Sequence, residues 1–247
     1  MTKVLENKVA LITGASRGIG AAIATKFAEE GASVAVTYAN GQQKAAELVK
    51  AIEAAGGKAI AIQADNADAS AVRNAVNLTA KTFGGLDILV NNAGLGLMGP
   101  LDTFSLEDFD RISAVNVRAV FVATQEAAKH MKAGGRVITV GSCMAERAGF
   151  PGATAYTMTK AAVVGMTRGL AYDLGPRGIT ANVIQPGPID TEMNPANGPN
   201  AETMKSMLTI SRFGTGDEVA GLALYLASDI AGFVNGAAFT IDGGFRA

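Results

Sequence analysis

Short runs of apolar, β-branched residues alternate with longer segments of helical periodicity along this chain, and that rhythm constrains its fold more than any other feature. Lys8 to Thr13 (KVALIT) stops at Gly14, and Ile19 to Glu30 then carries apolar residues at helical spacing until Gly31 ends it. Ser33 to Tyr38 and Lys58 to Gln63 read as strands on either side of a helix from Gln42 to Ala55. The pattern continues with a helix at Ala69 to Phe83, a strand at Leu86 to Asn91, a long helical stretch within Leu106 to Met131 and a strand at Arg136 to Val140. A helix at Thr154 to Asp173, a strand at Ile179 to Gln185, a helix around Asp217 to Leu226 and a last strand near Ala238 to Ile241 complete it. The strands are continuously apolar, so both of their faces should be buried, as in a parallel sheet covered by helices on each side. The expectation is one α/β domain over residues 1–247, a doubly wound parallel sheet of about seven strands. The only long irregular stretch is 186–211, with three of the seven prolines in its first ten residues. A loop of that length reads as a lid or a mobile insertion.

Composition removes several classes of function. A net charge of -1 leaves no basic footprint for nucleic acid or an anionic membrane surface. One cysteine, Cys143, cannot form an intramolecular disulfide, and with His130 as the only histidine no metal site is expected. No stretch approaches the ~18 apolar residues of a membrane span, and no charged n-region precedes an apolar core at the N-terminus. A soluble, cytoplasmic protein is the expectation.

The first strand runs into Thr13-Gly14-Ala15-Ser16-Arg17-Gly18-Ile19-Gly20. In an open α/β sheet, ligands bind at the carboxyl ends of the strands, and glycines there let the backbone approach a pyrophosphate while the next helix offers free N–H groups. The spacing, Gly-x3-Gly-x-Gly, departs from the GxGxxG fingerprint of most dinucleotide folds. The second strand ends Val36-Thr37-Tyr38-Ala39-Asn40 and lacks the acidic residue that holds the ribose hydroxyls in NAD-preferring sites. Arg17 can meet a 2′-phosphate instead, so NADP(H) is favoured over NAD(H), with NAD(H) still possible. Tyr38, Ala39 and Asn40, at the end of that strand, are candidate cofactor contacts.

Farther along, Ser142 follows the strand ending at Val140, and Tyr156 and Lys160 stand four apart. On a helix that spacing puts both side chains on one face, one turn apart. A nearby ammonium favours the phenolate and lowers the pKa of a tyrosine from its usual ~10, which suits proton exchange with substrate near neutrality. Ser142 can supply a hydroxyl to the same oxygen. Tyrosine and lysine at this spacing also occur as a plain surface pair.

Taken together, Thr13 to Gly20, Asp65, Asn91-Asn92-Ala93-Gly94, Asn116, Ser142, Tyr156 with Lys160, Pro186-Gly187 and Ile241-Asp242-Gly243-Gly244 resemble the short-chain dehydrogenase/reductase family nearly end to end. The resemblance implies a Rossmann fold and a catalytic tetrad. Tyr156 would be the acid that protonates a carbonyl oxygen, or the base in alcohol oxidation; Lys160 would lower its pKa and bind the nicotinamide ribose. Ser142 would orient the carbonyl, and Asn116 would hold a water linking Lys160 to solvent. Cofactor contacts implied in the same way are Gly14, Ser16, Arg17, Gly18, Ile19 and Gly20 in the turn, Asp65 with Asn66 at the adenine, Asn92, Ala93 and Gly94 on the adenosine side, and Ile189 with Thr191 after Pro186 and Gly187 at the carboxamide. Asn92 could equally tie neighbouring backbones together.

Ser142 and Tyr156 lie 14 positions apart, one more than is usual in the family, so the 144–154 loop should bulge and reshape the substrate mouth. Arg177 matches one basic position of the acyl-carrier-protein reductases, whereas Ala133 stands at the other, with Lys132 adjacent. Leu95, Leu97, Met98, Phe150, Pro151 and Met193 are candidate walls for an uncharged ketone or its alcohol, or ordinary core. No Arg or Lys is evidently placed to clamp a substrate carboxylate. The expected activity is an NADPH-dependent, reversible ketone reductase or 3-oxoacyl reductase. The alternative is a nucleotide-binding regulator, because 186–199 is similar to a bacterial family member linked to cyclic-di-GMP binding and biofilm dispersal. The resemblance also implies a homotetramer of 222 symmetry.

Overall fold

A computed structural model describes residues 3–247. Strands β1 (Val9–Ile12), β2 (Ser33–Tyr38), β3 (Lys58–Gln63), β4 (Ile88–Asn91), β5 (Arg136–Val140), β6 (Thr180–Pro186) and β7 (Ala238–Ile241) form one sheet in the order β3-β2-β1-β4-β5-β6-β7. Every pairing is parallel. Around it lie α1 (Gly18–Glu29), α2 (Gln42–Ala54), α3 (Ala69–Phe83), α4 (Leu106–Ser113), α5 (Ala119–His130), α6 (Thr154–Leu174), α7 (Ala201–Ser206) and α8 (Gly216–Ala227). This is the doubly wound architecture, and β1 shows why its strands are apolar throughout. Ala10 and Ile12 enter a core with α1 and α8, while Val9 and Leu11 enter a second core with α3 and α5 on the other face. The edge strands differ: β3 and β7 are each partly exposed, because they have a neighbour on one side only.

Local signals set the helix ends. The Asp68 carboxylate accepts from the backbone N–H groups of Ser70 and Ala71 to start α3, and Gly84 ends it at φ 84°. Thr215 and Glu218 form a reciprocal capping box at the start of α8. Two elements depart from expectation. The stretch from Leu106 to His130 is interrupted by a π-helical turn at Ala114–Arg118, and 186–211 contains the short α7, whose AETMKS sequence carries no apolar stripe.

The strand order reverses at β1, so the loops after β1 and β4 leave toward opposite faces and open a crevice between them. The glycine turn, the Asn92 segment and the start of the 186–211 segment all meet there.

Candidate active site

The crevice is built on two threonines. Thr13 Oγ1, at the end of β1, accepts from the backbone N–H groups of Asn92 (3.0 Å) and Ala93 (3.1 Å). Thr37 Oγ1, on β2, accepts from Gly14 N at 3.0 Å. The Asn92 amide donates to the carbonyls of Thr13 (2.8 Å) and Gly14 (3.0 Å), the backbone-tying role that its position after a buried strand allows. Two glycines let these segments come so close. A Cβ on Gly14, at φ 61°, would stand 2.7 Å from Ala93 Cα, and one on Gly20 would stand 2.4 Å from Asn92 Nδ2.

A cleft of about 1220 Å³ opens above this floor, and every residue assigned above to the cofactor lines it. So do Ser142, Tyr156, Lys160 and the wall residues Leu95, Met98, Phe150 and Met193; Leu97 and Pro151 do not. The Asp65 carboxylate takes the N–H of Ala67 at 2.9 Å, which fixes its loop at the end of β3. The fit of a phosphorylated dinucleotide rests on the Cβ-free backbone of the turn, on the N-terminus of α1 and on two cations, Arg17 and Lys44, at one end of the cleft.

At the other end, α6 and β5 bring Ser142, Tyr156 and Lys160 together. Tyr156 and Lys160 share a face of α6, with Lys160 Nζ 5.7 Å from the centroid of the phenol ring. The ammonium donates to Val140 O at 3.0 Å, at the carboxyl end of β5, and burial pushes it down from 10.5 to about 8. Burial raises Tyr156 above its usual value, partly offset by the neighbouring Ser142 hydroxyl. This corrects the expectation that the neighbouring ammonium governs the phenol: desolvation of the ring environment is larger than any charge effect across that separation. The phenol is therefore protonated at neutral pH and suited to act as an acid, while the buried ammonium lies close to releasing its proton. Ser142 accepts from Met144 N at 3.1 Å, which aims its hydroxyl at the cleft.

Asn116 sits in the π turn, which adds a residue to the helix and rotates this side chain inward. Its Oδ1 accepts from Leu95 N (2.8 Å), and its Nδ2 donates to Leu95 O (3.0 Å) and Thr159 Oγ1 (3.0 Å). It is buried beneath the cleft rather than lining it, so its side chain locks the post-β4 segment onto α6.

The 144–154 loop does not hang free despite its added residue. Gly99 N donates to Gly152 O at 3.0 Å, and Arg147 donates to Phe245 O at 2.6 Å while lying over the Phe245 ring. Cys143, Met144, Phe245 and, from the 186–211 segment, Met204 and Met207 complete the apolar walls. Arg111 also lines the cleft, a basic residue that the reading of the sequence for a carboxylate clamp does not single out. Nothing in the sequence singles out Phe245 or Arg111, since only tertiary packing brings them here. Thr37 was legible in principle, because parallel register after the Ile12 and Val36 pair sets it beside Thr13.

A family model described as enoyl-(acyl carrier protein) reductase matches residues 14–246. The chain is 46% identical over 240 residues to the cyclic-di-GMP-binding biofilm dispersal mediator protein of Escherichia coli K12, covering 97% of this chain and 98% of that one. It is 39% identical over 240 residues to a 3-oxoacyl-[acyl-carrier-protein] reductase of Staphylococcus aureus Mu50, covering 96% and 97%. A crystal structure of a short-chain dehydrogenase from Burkholderia cenocepacia J2315 in complex with NADP superposes with a TM-score of 0.98 at 52% identity, covering 99% of this chain and all of that one.

Proposed function

The chain belongs to the short-chain dehydrogenase/reductase family, and from that premise we propose that it is an NADPH-dependent oxidoreductase that reduces a ketone to an alcohol, reversibly, with Tyr156 as proton donor. The observation that carries the reading is the placement of a protonated, partly buried Tyr156 beside Ser142 and Lys160 at the end of a cleft whose far end holds the glycine turn and two cations. The NADP bound to the Burkholderia relative supports the choice of cofactor.

When bound, the nicotinamide supplies hydride. Ser142 donates a hydrogen bond to the carbonyl oxygen and holds it against Tyr156, whose phenol delivers the proton as negative charge develops there. Lys160, with a pKa of about 8, restores that proton. Asn116 acts as a positioning residue, through Thr159 on α6 and through Leu95. The 186–211 segment serves as a lid that adds Met193, Met204 and Met207 to the substrate walls, and flexible methionines suit ketones of varied shape. An acyl carrier protein fits less well: Arg177 donates to the carbonyls of Ala128 and Met131 at the end of α5, and position 133 is alanine.

Oxidation of NADPH and NADH followed at 340 nm against aryl ketones, keto esters, quinones and 3-oxoacyl thioesters tests the reading. Tyr156→Phe should lower turnover at least ~100-fold while leaving NADPH affinity nearly unchanged. A variant that kept most of its activity would remove Tyr156 as the acid. The similarity to the E. coli dispersal protein favours a second reading, a cyclic-dinucleotide-binding regulator, and direct titration with cyclic-di-GMP decides it. We also propose a homotetramer, supported by exposed large apolar side chains on α4, α5 and α6 (Phe109, Phe121, Met158 and Tyr172) and before β7 (Ile230 and Phe233). A monomer mass by light scattering at micromolar concentration would refute that assembly.

A further inference from the structure

Three segments distant in sequence meet where the adenosine end of the cleft opens to solvent. Arg17 belongs to the glycine turn, Lys44 to the first turn of α2, and Glu192 to the beginning of the lid. Arg17 Nη1 lies 3.0 Å from Glu192 Oε2, and Lys44 Nζ pairs with the other carboxylate oxygen, Oε1. One carboxylate thus bridges both cations, and all three side chains line the same cleft. Side chains of these segments also lie against two of the glycines. A Cβ on Gly18 would stand 3.4 Å from Thr191 Cγ2, and one on Gly41 would stand 2.8 Å from Ser16 Oγ. Thr191, the neighbour of Glu192, thus lies beside Gly18 of the glycine turn.

A carboxylate shared between a guanidinium and an ammonium reproduces the recognition that a phosphate monoester would receive at the same place. The second strand ends without an acid, so these two cations are the groups that distinguish a 2′-phosphate from a free ribose hydroxyl. We propose that Glu192 is a stand-in anion for the cofactor's 2′-phosphate: it occupies Arg17 and Lys44, yields them when the phosphate arrives, and so tempers the preference for NADP over NAD while the arriving phosphate frees the start of the lid. This inference rests on the NADPH reading above and adds to it a competitor supplied by the protein itself.

The bridge is suited to exchange because it is weak. Its side chains are about half exposed, so solvent screens the two pairs, and an incoming dianion outbids one carboxylate for both cations. NADH brings no 2′-phosphate, leaves the bridge intact and is indifferent to Glu192. The lid then feels the cofactor's phosphate: with NADPH its first residues lose their tie to the turn and to α2, and with NADH they keep it.

Calorimetric titration with NADPH and NADH of the wild type, Glu192→Gln and Glu202→Gln tests the proposal. Glu202 is a second exposed lid acid, paired with Lys205, so its variant makes the same change in net charge away from the cations. Glu192→Gln should bind NADPH about three- to tenfold more tightly, with NADH affinity unchanged within about twofold and Glu202→Gln like the wild type for both. Adenosine 2′,5′-bisphosphate, which carries the phosphate but no nicotinamide, should accelerate tryptic cleavage at Lys205 or Arg212 in the wild type and not in Glu192→Gln. Unchanged or weaker NADPH binding by Glu192→Gln, or an equal gain for NADH, would overturn the proposal while leaving the cofactor reading intact. Failure of the wild type to bind either dinucleotide would overturn both.

Discussion

Replacing Lys160 by methionine should make the protein more stable at neutral pH although it removes a residue proposed above to relay the proton. The ammonium is buried, and its pKa falls from 10.5 to about 8. That gap of about 2.5 pH units corresponds to a penalty of about 3 kcal/mol for holding the charge inside, at ~1.36 kcal/mol per unit. In the unfolded chain the lysine binds its proton more tightly, so between about pH 8 and 10.5 the unfolded state carries more protons and wild-type stability rises with pH; below pH 8 the full penalty applies. Methionine is unbranched, of similar length and uncharged, so it escapes the penalty but loses the hydrogen bond to Val140 O, worth about 1–2 kcal/mol. The net gain at pH 7 is about 1–2 kcal/mol, or roughly 2–8 °C in Tm for a chain of this size. By pH 10 most of the lysine's penalty has gone and the lost hydrogen bond dominates, so the advantage should vanish or reverse. Thermal unfolding followed by circular dichroism, at pH 7 and pH 10 and equal protein concentration, reads both. A variant that melts below the wild type at pH 7, or a gap that is the same at both pH values, would refute the reasoning.

Thr13→Val keeps the shape of the side chain but removes the acceptor for the N–H groups of Asn92 and Ala93; a loss of about 2–4 kcal/mol in urea denaturation is expected, with weaker dinucleotide binding. Gly20→Ala drives a methyl group to 2.4 Å from Asn92 Nδ2 and 2.8 Å from Ala15 Cα, and should cost about 1–3 kcal/mol by the same assay while loosening the hold on the cofactor. Arg136→Met acts at the opposite end of the sheet. It strips donors from the carbonyls of Gly134, Gly135 and Ser228, so the urea midpoint should fall by the equivalent of about 3 kcal/mol with dinucleotide affinity, measured by calorimetry, unchanged.

Much of the site was legible because its residues sit at the ends of strands, where a short apolar run followed by Gly, Asn or Ser marks the position. The glycine turn after β1, the Asn92 segment after β4 and Ser142 after β5 are all of this kind. Tyr156 and Lys160 were legible from helical spacing. The order of importance of the forces on them was not, because a pattern of letters does not report that α6 buries the whole lysine. The π turn is not legible for a related reason: Ala114 to Arg118 is as good a helix sequence as its flanks, and what accompanies the extra residue, the bonds of Asn116 to Leu95 and Thr159, is tertiary. Glu192 and Lys44 lie in polar stretches where any charged residue reads as a solvated surface group. Only folding places them around Arg17.

The Thr13 and Asn92 strap has a bearing on how the molecule is made. Its two ends are 79 positions apart, and β1 pairs with β4 across a similar span. The first strand to leave the ribosome can dock β2 early, but its other edge, and the floor of the site with it, must wait until β4 has emerged. Closing so long a loop is entropically slow, and contacts of this range lower folding rates. During synthesis the β1 edge is therefore an open hydrogen-bonding surface, and weakening the strap lengthens the interval in which another chain could pair with it.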